Sequence, residues 1–147
     1  MIQIEKLSKL TKMITIKKIH NGLIKSLKAP VGLEQIGRNT FQLATPFEFR
    51  DGDSIVCYIE ISEEHIRFTD WGHTLMHISY DVDITSQTRK EALEHVLAIY
   101  DLEYNKGEIY TDCSIQEIGF VFRDFIQGLI RISDISLWKN TRNEQDN

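Results

Sequence analysis

The sequence has little cysteine, little proline and no long apolar run. Its two cysteines, Cys57 and Cys113, do not make the disulfide framework of a small secreted domain. No stretch of about 18 apolar residues occurs, which excludes a typical membrane-spanning helix. The Lys-rich N-terminus has neither the apolar segment nor the small-residue cleavage site of a secretory signal. We therefore expect a cytoplasmic protein that does not contact a membrane.

The composition is that of a folded domain. A hydrophobic fraction of 41% over 147 residues supplies one core, and it is too high for a disordered chain with a net charge of only −5. We predict a single domain over residues 1–147. Within it, residues 1–14 are interpreted as an extension and residues 140–147 as a disordered tail.

Charge is unevenly distributed along the chain. Residues 1–28 hold seven Lys and one Glu, a net charge of +6, so the remainder of the chain carries −11. The basic segment has two interpretations: a solvated helix face that touches the domain's own acids, or a contact surface for nucleic acid or an acidic partner. The candidate contact residues are Lys17, Lys18 and Lys25. The acidic remainder could instead mimic nucleic acid and occupy a basic channel on another protein.

Apolar spacing divides the first half of the chain into a helix and a sheet. Steps of three and four between residues 7 and 27 predict an amphipathic helix, which Pro30 ends. Alternation over residues 33–69 predicts an antiparallel meander, with one strand over 54–61 and a tight turn at 51–53.

Helical patterns dominate the second half. They cover residues 74–80, a segment from Ser86, and a long segment from Ser114, whose spacing from Glu117 matches a capping box. A turn at residues 106–110 leads into a brief strand. The predicted fold is therefore α+β: an N-terminal helix, an antiparallel meander sheet, and C-terminal helices packed on the sheet.

Three carboxylates form the best candidate constellation. In the predicted meander one strand leaves the turn that holds Asp51 and Asp53, and the next strand returns toward it and ends at Asp70. We therefore expect the three side chains to meet, and together they could hold Mg²⁺ or Ca²⁺. The alternative is local structure, in which Asp51 and Asp53 form a turn and Asp70 caps the following helix.

Histidine and tryptophan provide the remaining candidates. His73 and His77 stand four residues apart, a spacing that suits Zn²⁺ on a helix, and Cys57, Cys113 or Asp70 could complete the site. Trp71 and Trp138 are candidate binding residues. Trp138 ends the last helix beside a polar tail, where it could anchor a partner or a homodimer.

Several short motifs occur in a characteristic order. They are Thr45-Pro46-Phe47, Asp51-Gly52-Asp53 followed by Ile55, Thr69-Asp70-x-Gly72-x-Thr74, and Arg89 before an amphipathic helix. This order resembles a domain-of-unknown-function family of small bacterial, phage and mobile-element proteins, over roughly residues 15–137. The resemblance implies no activity. It implies a context in which such proteins bind host or rival machinery.

These observations lead to three functional hypotheses. The first is a non-enzymatic binding protein of a phage or mobile element, an anti-CRISPR-like inhibitor of a host defence nuclease that acts by protein–protein contact in the host cytoplasm and needs no cofactor. The second is a metal-dependent hydrolase or nuclease that uses the clustered Asp residues with Mg²⁺ or Zn²⁺. The third is a nucleic-acid-binding regulator that uses residues 1–28. The first is favoured on the family resemblance, the acidic remainder of the chain, its small size and the absence of a nucleophile elbow or phosphate-binding loop.

Overall fold

The protein is an α+β domain, as predicted, and it is built on one antiparallel sheet that has six strands. The computed structural model describes residues 16–63, 65–79 and 86–136. The elements are α1 (16–27), β1 (Gly32–Gln35), β2 (Thr40–Ala44), β3 (Cys57–Ile61), β4 (Ile66–Thr69), α2 (His73–Ser79), α3 (Gln87–Ile99), β5 (Glu103–Asn105), β6 (Glu108–Cys113) and α4 (Ile118–Ser133). The predicted extension at 1–14, the tail at 140–147 and Trp138 lie outside the described residues.

The strand order is β1-β2-β3-β4-β6-β5, with every neighbouring pair antiparallel. Strands β1 to β4 form the meander predicted over residues 33–69. The sequence indicated only a brief strand after the turn at 106–110. The structure instead has a hairpin of β5 and β6, and β6 pairs with β4 after the chain has passed through α2 and α3.

The strand predicted to begin at Ser54 begins three residues later, at Cys57. The preceding segment is held by turn hydrogen bonds: the Phe49 N–H donates to the Asp53 carbonyl at 2.8 Å, and the Gly52 N–H donates to the Phe49 carbonyl at 2.9 Å. Gly52 takes a positive φ of 91° here, a conformation that glycine adopts without steric cost. The turn therefore uses backbone groups that a longer strand would need.

The core lies between one face of the sheet and the helices. Alternate strand residues such as Phe41, Ile59 and Phe68 are buried on this inner face, because successive side chains point to opposite sides of a strand. All four helices contribute their buried apolar residues to the same core cluster. The Phe68 ring lies 4.9 Å from the Phe122 ring and 6.0 Å from the Phe125 ring, so α4 is packed directly on β4.

The opposite face of the sheet carries the other alternate residues. Its central positions are connected by strand register: Glu60 pairs with Arg67, Arg67 pairs with Asp112, and Thr69 pairs with Tyr110. Directly paired residues share a face, so these side chains form one surface. This outer face also includes Tyr58, which pairs with Thr69.

The predicted capping box at Ser114 is wrong. The Ser114 side chain makes no capping hydrogen bond, and a single 3₁₀ turn over Ile115–Glu117 precedes α4. In this turn the Glu117 N–H donates to the Ser114 carbonyl rather than to its hydroxyl, at 3.2 Å. A backbone bond therefore replaces the side-chain cap.

No helix among residues 16–63, 65–79 and 86–136 is long and apolar enough to cross a membrane.

Two phenylalanines of α4 provide a matched test of the packing. Phe122 is fully buried, whereas Phe120 is 59% exposed. We expect Phe122→Ala to lower the free energy of unfolding by about 3–5 kcal/mol, because it removes a ring that fills the core against Phe68. Phe120→Ala is the control, with an expected change of about 0.5 kcal/mol or less. Urea denaturation measures both. Equal losses would contradict the assignment of the buried helix face.

Candidate functional site

The turn after β4 is organised by the carboxylate of Asp70, which is fully buried. Its Oδ1 accepts hydrogen bonds from the Gly72 N–H at 2.8 Å and the Ile109 N–H at 2.9 Å, and its Oδ2 accepts one from the Thr74 N–H at 3.2 Å. These donors belong to the turn, to α2 and to β6. Asp70 is thus a helix cap, and it also ties the turn to β6.

Trp71 occupies the same turn in an unusual backbone conformation. Its φ is 49°, in the left-handed region that costs a residue with a side chain about 1–2 kcal/mol. The neighbouring hydrogen bonds compensate: the Trp71 N–H donates to Thr69 Oγ1 at 3.0 Å, and the Gly72 N–H is held by Asp70. This conformation directs the indole onto the outer face.

The Trp71 ring is held on the outer face at two points. It stacks on the Tyr58 ring with a centroid distance of 3.9 Å and an interplanar angle of 15°. Its Nε1–H donates to Glu60 Oε1 at 3.0 Å. The ring shields Tyr58, which is buried although it lies outside the core cluster, and this burial raises the pKa of the Tyr58 phenol. Trp71 itself remains 44% exposed.

A second aromatic ring, that of Tyr110, lies on the same face and is in contact with Arg67. The Arg67 guanidinium sits 4.1 Å above the centre of the Tyr110 ring and donates two hydrogen bonds to Asp112, at 2.7 and 3.0 Å. This paired geometry lowers the pKa of the Asp112 carboxyl. His65 approaches the same carboxylate at 3.7 Å.

The strands of the outer face carry mainly negative charge. Strand register places five acids on this face and one cation, Arg67. The acids are Glu60 and Asp112 on the central strands and Glu34, Glu103 and Glu108 on either side of them. Because these acids outnumber Arg67, which is itself paired with Asp112, this surface carries a net negative charge on its strands. It repels phosphates and favours cationic groups.

The expected meeting of three carboxylates is replaced by a different group. His77 lies between Asp51 and Asp53: its Nε2 is 2.8 Å from Asp51 Oδ2, and its Nδ1 is 3.5 Å from Asp53 Oδ2. The imidazole also stacks on Phe49 at 4.8 Å. Asp70 does not join this group, because its oxygens face the three backbone N–H groups.

The Asp51–Asp53–His77 group could hold a divalent cation. Its three potential ligand atoms lie within 4.8 Å of one another, and one imidazole with two carboxylates is a donor set that Zn²⁺ accepts. Both carboxylates are exposed, and Asp51 Oδ1 also accepts a hydrogen bond from the Asp53 N–H at 3.0 Å. The turn interpretation of Asp51 therefore describes part of its role. Across the described ranges this is the one group of three potential ligands.

His73 and His77 do not share a site. His73 Nε2 is 3.4 Å from the Tyr58 hydroxyl, whereas His77 faces Asp51 and Asp53. The two cysteines are unsuited as ligands of this site, because Cys57 and Cys113 are buried in the core. Burial raises the pKa of each thiol to about 12, which leaves little thiolate to bind a metal.

The basic residues of α1 lie on its solvent side. Lys17, Lys18 and Lys25 are exposed, while Ile19 and Leu23 on the same helix are fully buried. Within the part of the chain that the structure describes, none of these lysines is within 4.0 Å of a carboxylate. The interpretation in which they pair with the domain's own acids is thus not seen there.

Tyr58 and Glu60 are site residues that sequence reasoning did not identify. The available signal was their spacing, because residues two apart on a strand share a face. Their relation to Trp71 had no such signal, since it depends on the left-handed turn that folds the indole back over β3.

The fold and these two side-chain groups define an α+β domain whose outer sheet face carries a net negative charge on its strands. Residues 45–132 match the family model described as domain of unknown function DUF1828. This match covers more than half of the chain, and the chain belongs to that family. Comparison with curated proteins and with solved structures gave no significant match.

Unfolding free energies of variants can distinguish the structural role of Asp70 from the exposed position of Asp53. We expect Asp70→Asn to lower the free energy of unfolding by about 1–3 kcal/mol, because the amide nitrogen that replaces one oxygen cannot accept from a buried N–H. Asp53→Asn is the control, with an expected change of about 0.5 kcal/mol or less, since its carboxylate is 68% exposed. Urea denaturation of both variants is the measurement. If Asp53→Asn proved as damaging as Asp70→Asn, the structural role given to Asp70 would be wrong.

Proposed function

We propose that this protein is a non-enzymatic binding protein that acts by protein–protein contact, with Trp71 as the anchor of its contact surface. The observation that carries the proposal is the state of the indole. Trp71 is 44% exposed, yet its indole is held by a stack on Tyr58 and a hydrogen bond to Glu60.

A fixed, exposed tryptophan is suited to binding for energetic reasons. Tryptophan, tyrosine and arginine are enriched among residues that dominate interface energies. A side chain already held in one conformation loses little rotamer entropy when a partner covers it. The left-handed backbone of Trp71 supports the same argument, because strained conformations are concentrated where function requires a particular orientation.

The finer form of the proposal is a phage or mobile-element inhibitor of a host defence nuclease. A nuclease must line its nucleic-acid channel with basic side chains, because it binds phosphates. The acidic outer face is complementary to such a channel in charge. The basic face of α1 belongs to a separate candidate, the nucleic-acid-binding regulator, and the test below distinguishes the two.

A pull-down from nuclease-treated host lysate tests the binding proposal. We expect wild-type protein to retain a stoichiometric protein partner, and Trp71→Ala to lose it, because the mutation removes the anchor ring. Phe120→Ala is the matched control, since it removes another exposed aromatic ring from α4 and should keep the partner.

Two results of this pull-down would contradict the proposal. Retention of the partner by Trp71→Ala would place the contact elsewhere. Loss of every partner on nuclease treatment would favour nucleic-acid binding through Lys17, Lys18 and Lys25 instead. The expected loss of the partner by Trp71→Ala supports the proposal only when that variant remains folded, which its urea denaturation curve establishes.

A second candidate function, metal-dependent hydrolysis, is supported by the grouping of Asp51, Asp53 and His77. A cation held by these ligands would supply an activated water at an exposed turn. Asp70 takes no part in this candidate, since its carboxylate is buried and already bonded to backbone N–H groups.

Titration calorimetry with Zn²⁺ and with Mg²⁺ tests the metal candidate. If it is correct, wild-type protein binds Zn²⁺ at one site and His77→Ala binds at least about tenfold more weakly, because one of three ligands is lost. His73→Ala is the control, because its imidazole faces Tyr58 and not the acidic group. No saturable heat with either metal, or equal weakening by both variants, would rule the site out.

A further inference from the structure

We propose that the Trp71–Glu60 pair is a receptor for an arginine side chain of the partner protein, with the guanidinium stacked on the exposed surface of the indole and hydrogen-bonded to the Glu60 carboxylate. This inference rests on the proposed binding function and names the chemistry that the surface recognises. It follows from three observations on the outer face.

The first observation is that the same face already contains an arginine bound between an aromatic ring and a carboxylate. The Arg67 guanidinium lies 4.1 Å above the Tyr110 ring and donates two hydrogen bonds to Asp112. An aromatic ring, a carboxylate and a guanidinium are thus assembled on neighbouring strands. Trp71 and Glu60 present the ring and the carboxylate a short way across the sheet, since Glu60 pairs directly with Arg67 in the strand register.

The second observation is that Glu60 makes no direct ion pair within the described residues, and Arg67 acts on it only through charge attraction at longer range. Arg67 stands opposite it, but the guanidinium nitrogens are directed to Asp112. Among the residues that the structure describes, no basic group lies within 4.0 Å of the Glu60 carboxylate. Its Oε1 accepts from Trp71 Nε1, which orients the group beside the ring and leaves Oε2 for a guest donor.

The third observation is the geometry of the indole. One surface of the ring is stacked on Tyr58, with 3.9 Å between the centroids, and the residue as a whole is nevertheless 44% exposed, so we place the guest on the ring surface opposite Tyr58. Indole is the strongest cation–π partner among the side chains. A planar guanidinium can stack on this surface and reach a neighbouring carboxylate at the same time, which a lysine ammonium does less well.

Charge complementarity selects this occupant over two others. A nucleic acid would bring phosphates against Glu34, Glu60, Glu103 and Glu108, which is repulsive. A second copy of the chain that presented the same face would bring acid against acid. An arginine-bearing protein surface, by contrast, gains attraction from the whole face and a specific contact at its centre.

Tryptophan fluorescence gives a direct test, because the chain has two tryptophans. In a Trp138→Phe background, Trp71 is the remaining reporter. The probes are acetylated, amidated hexa-arginine and hexa-lysine, which have equal charge and are titrated at the same ionic strength. The variants are Glu60→Gln, which removes the proposed acceptor charge, and Glu94→Gln, which removes an equal charge from the exposed side of α3.

We expect hexa-arginine to change the Trp71 emission saturably and to bind at least about fivefold more tightly than hexa-lysine. Glu60→Gln should weaken hexa-arginine binding about tenfold, because a hydrogen bond to a charged group is lost. Glu94→Gln should weaken it by less than about twofold. The Trp138→Phe protein must first show the wild-type unfolding transition.

Three outcomes would overturn the inference. Equal affinity for the two peptides, equal weakening by Glu60→Gln and Glu94→Gln, or no change in Trp71 emission would each show that any binding is general attraction to an acidic protein. The pull-down separates these from failure of the binding function itself. A partner that depends on Trp71 but is not displaced by hexa-arginine would retain the proposed function and reject the arginine receptor, whereas the absence of any Trp71-dependent partner would reject both.

Discussion

One buried carboxylate determines the arrangement of both candidate sites. Asp70 binds three backbone N–H groups, which belong to its own turn, to α2 and to β6. The bond to Gly72 supports the left-handed conformation of Trp71 and so directs the indole onto the outer face. The bond to Thr74 holds the start of α2, the helix that carries His77 to Asp51 and Asp53. Asp70 therefore acts on function through position, without an exposed atom of its own.

The consequence is a division of chemistry between the two sides of the sheet. The inner face is apolar and is covered by the helices, and burial there raises the pKa of its two thiols. The outer face is polar and charged, and its side chains are mutually fixed by stacking and by paired hydrogen bonds. The exposed lysines of α1 belong to a helix whose buried side joins the core cluster with the inner face.

Much of the fold could be predicted because it follows from periodicity. Alternation over residues 33–69 is a local property, and it identified the four strands of the meander. The pairing of β6 with β4 was not predictable in this way, because residues 70–107 separate the two strands. The candidate site shows the same limit. The sequence predicted Asp51, Asp53 and His77 as candidates, but it grouped them wrongly, since a capping carboxylate and a ligand carboxylate look alike until the neighbouring N–H groups are placed.

The resolved pKa shifts among the described residues belong to packing and to ion pairing. Perturbed pKa values are found at functional sites, and structural ion-pair networks produce them as well. Here the shifts belong to two buried thiols, to a shielded phenol, and to an arginine and a carboxylate that satisfy each other. What the outer face does offer is a rigid aromatic ring beside an oriented carboxylate, and such a pair recognises a cation without changing it. Because these contacts already hold the ring in one position, covering it costs little side-chain entropy, which supports the proposed binding function.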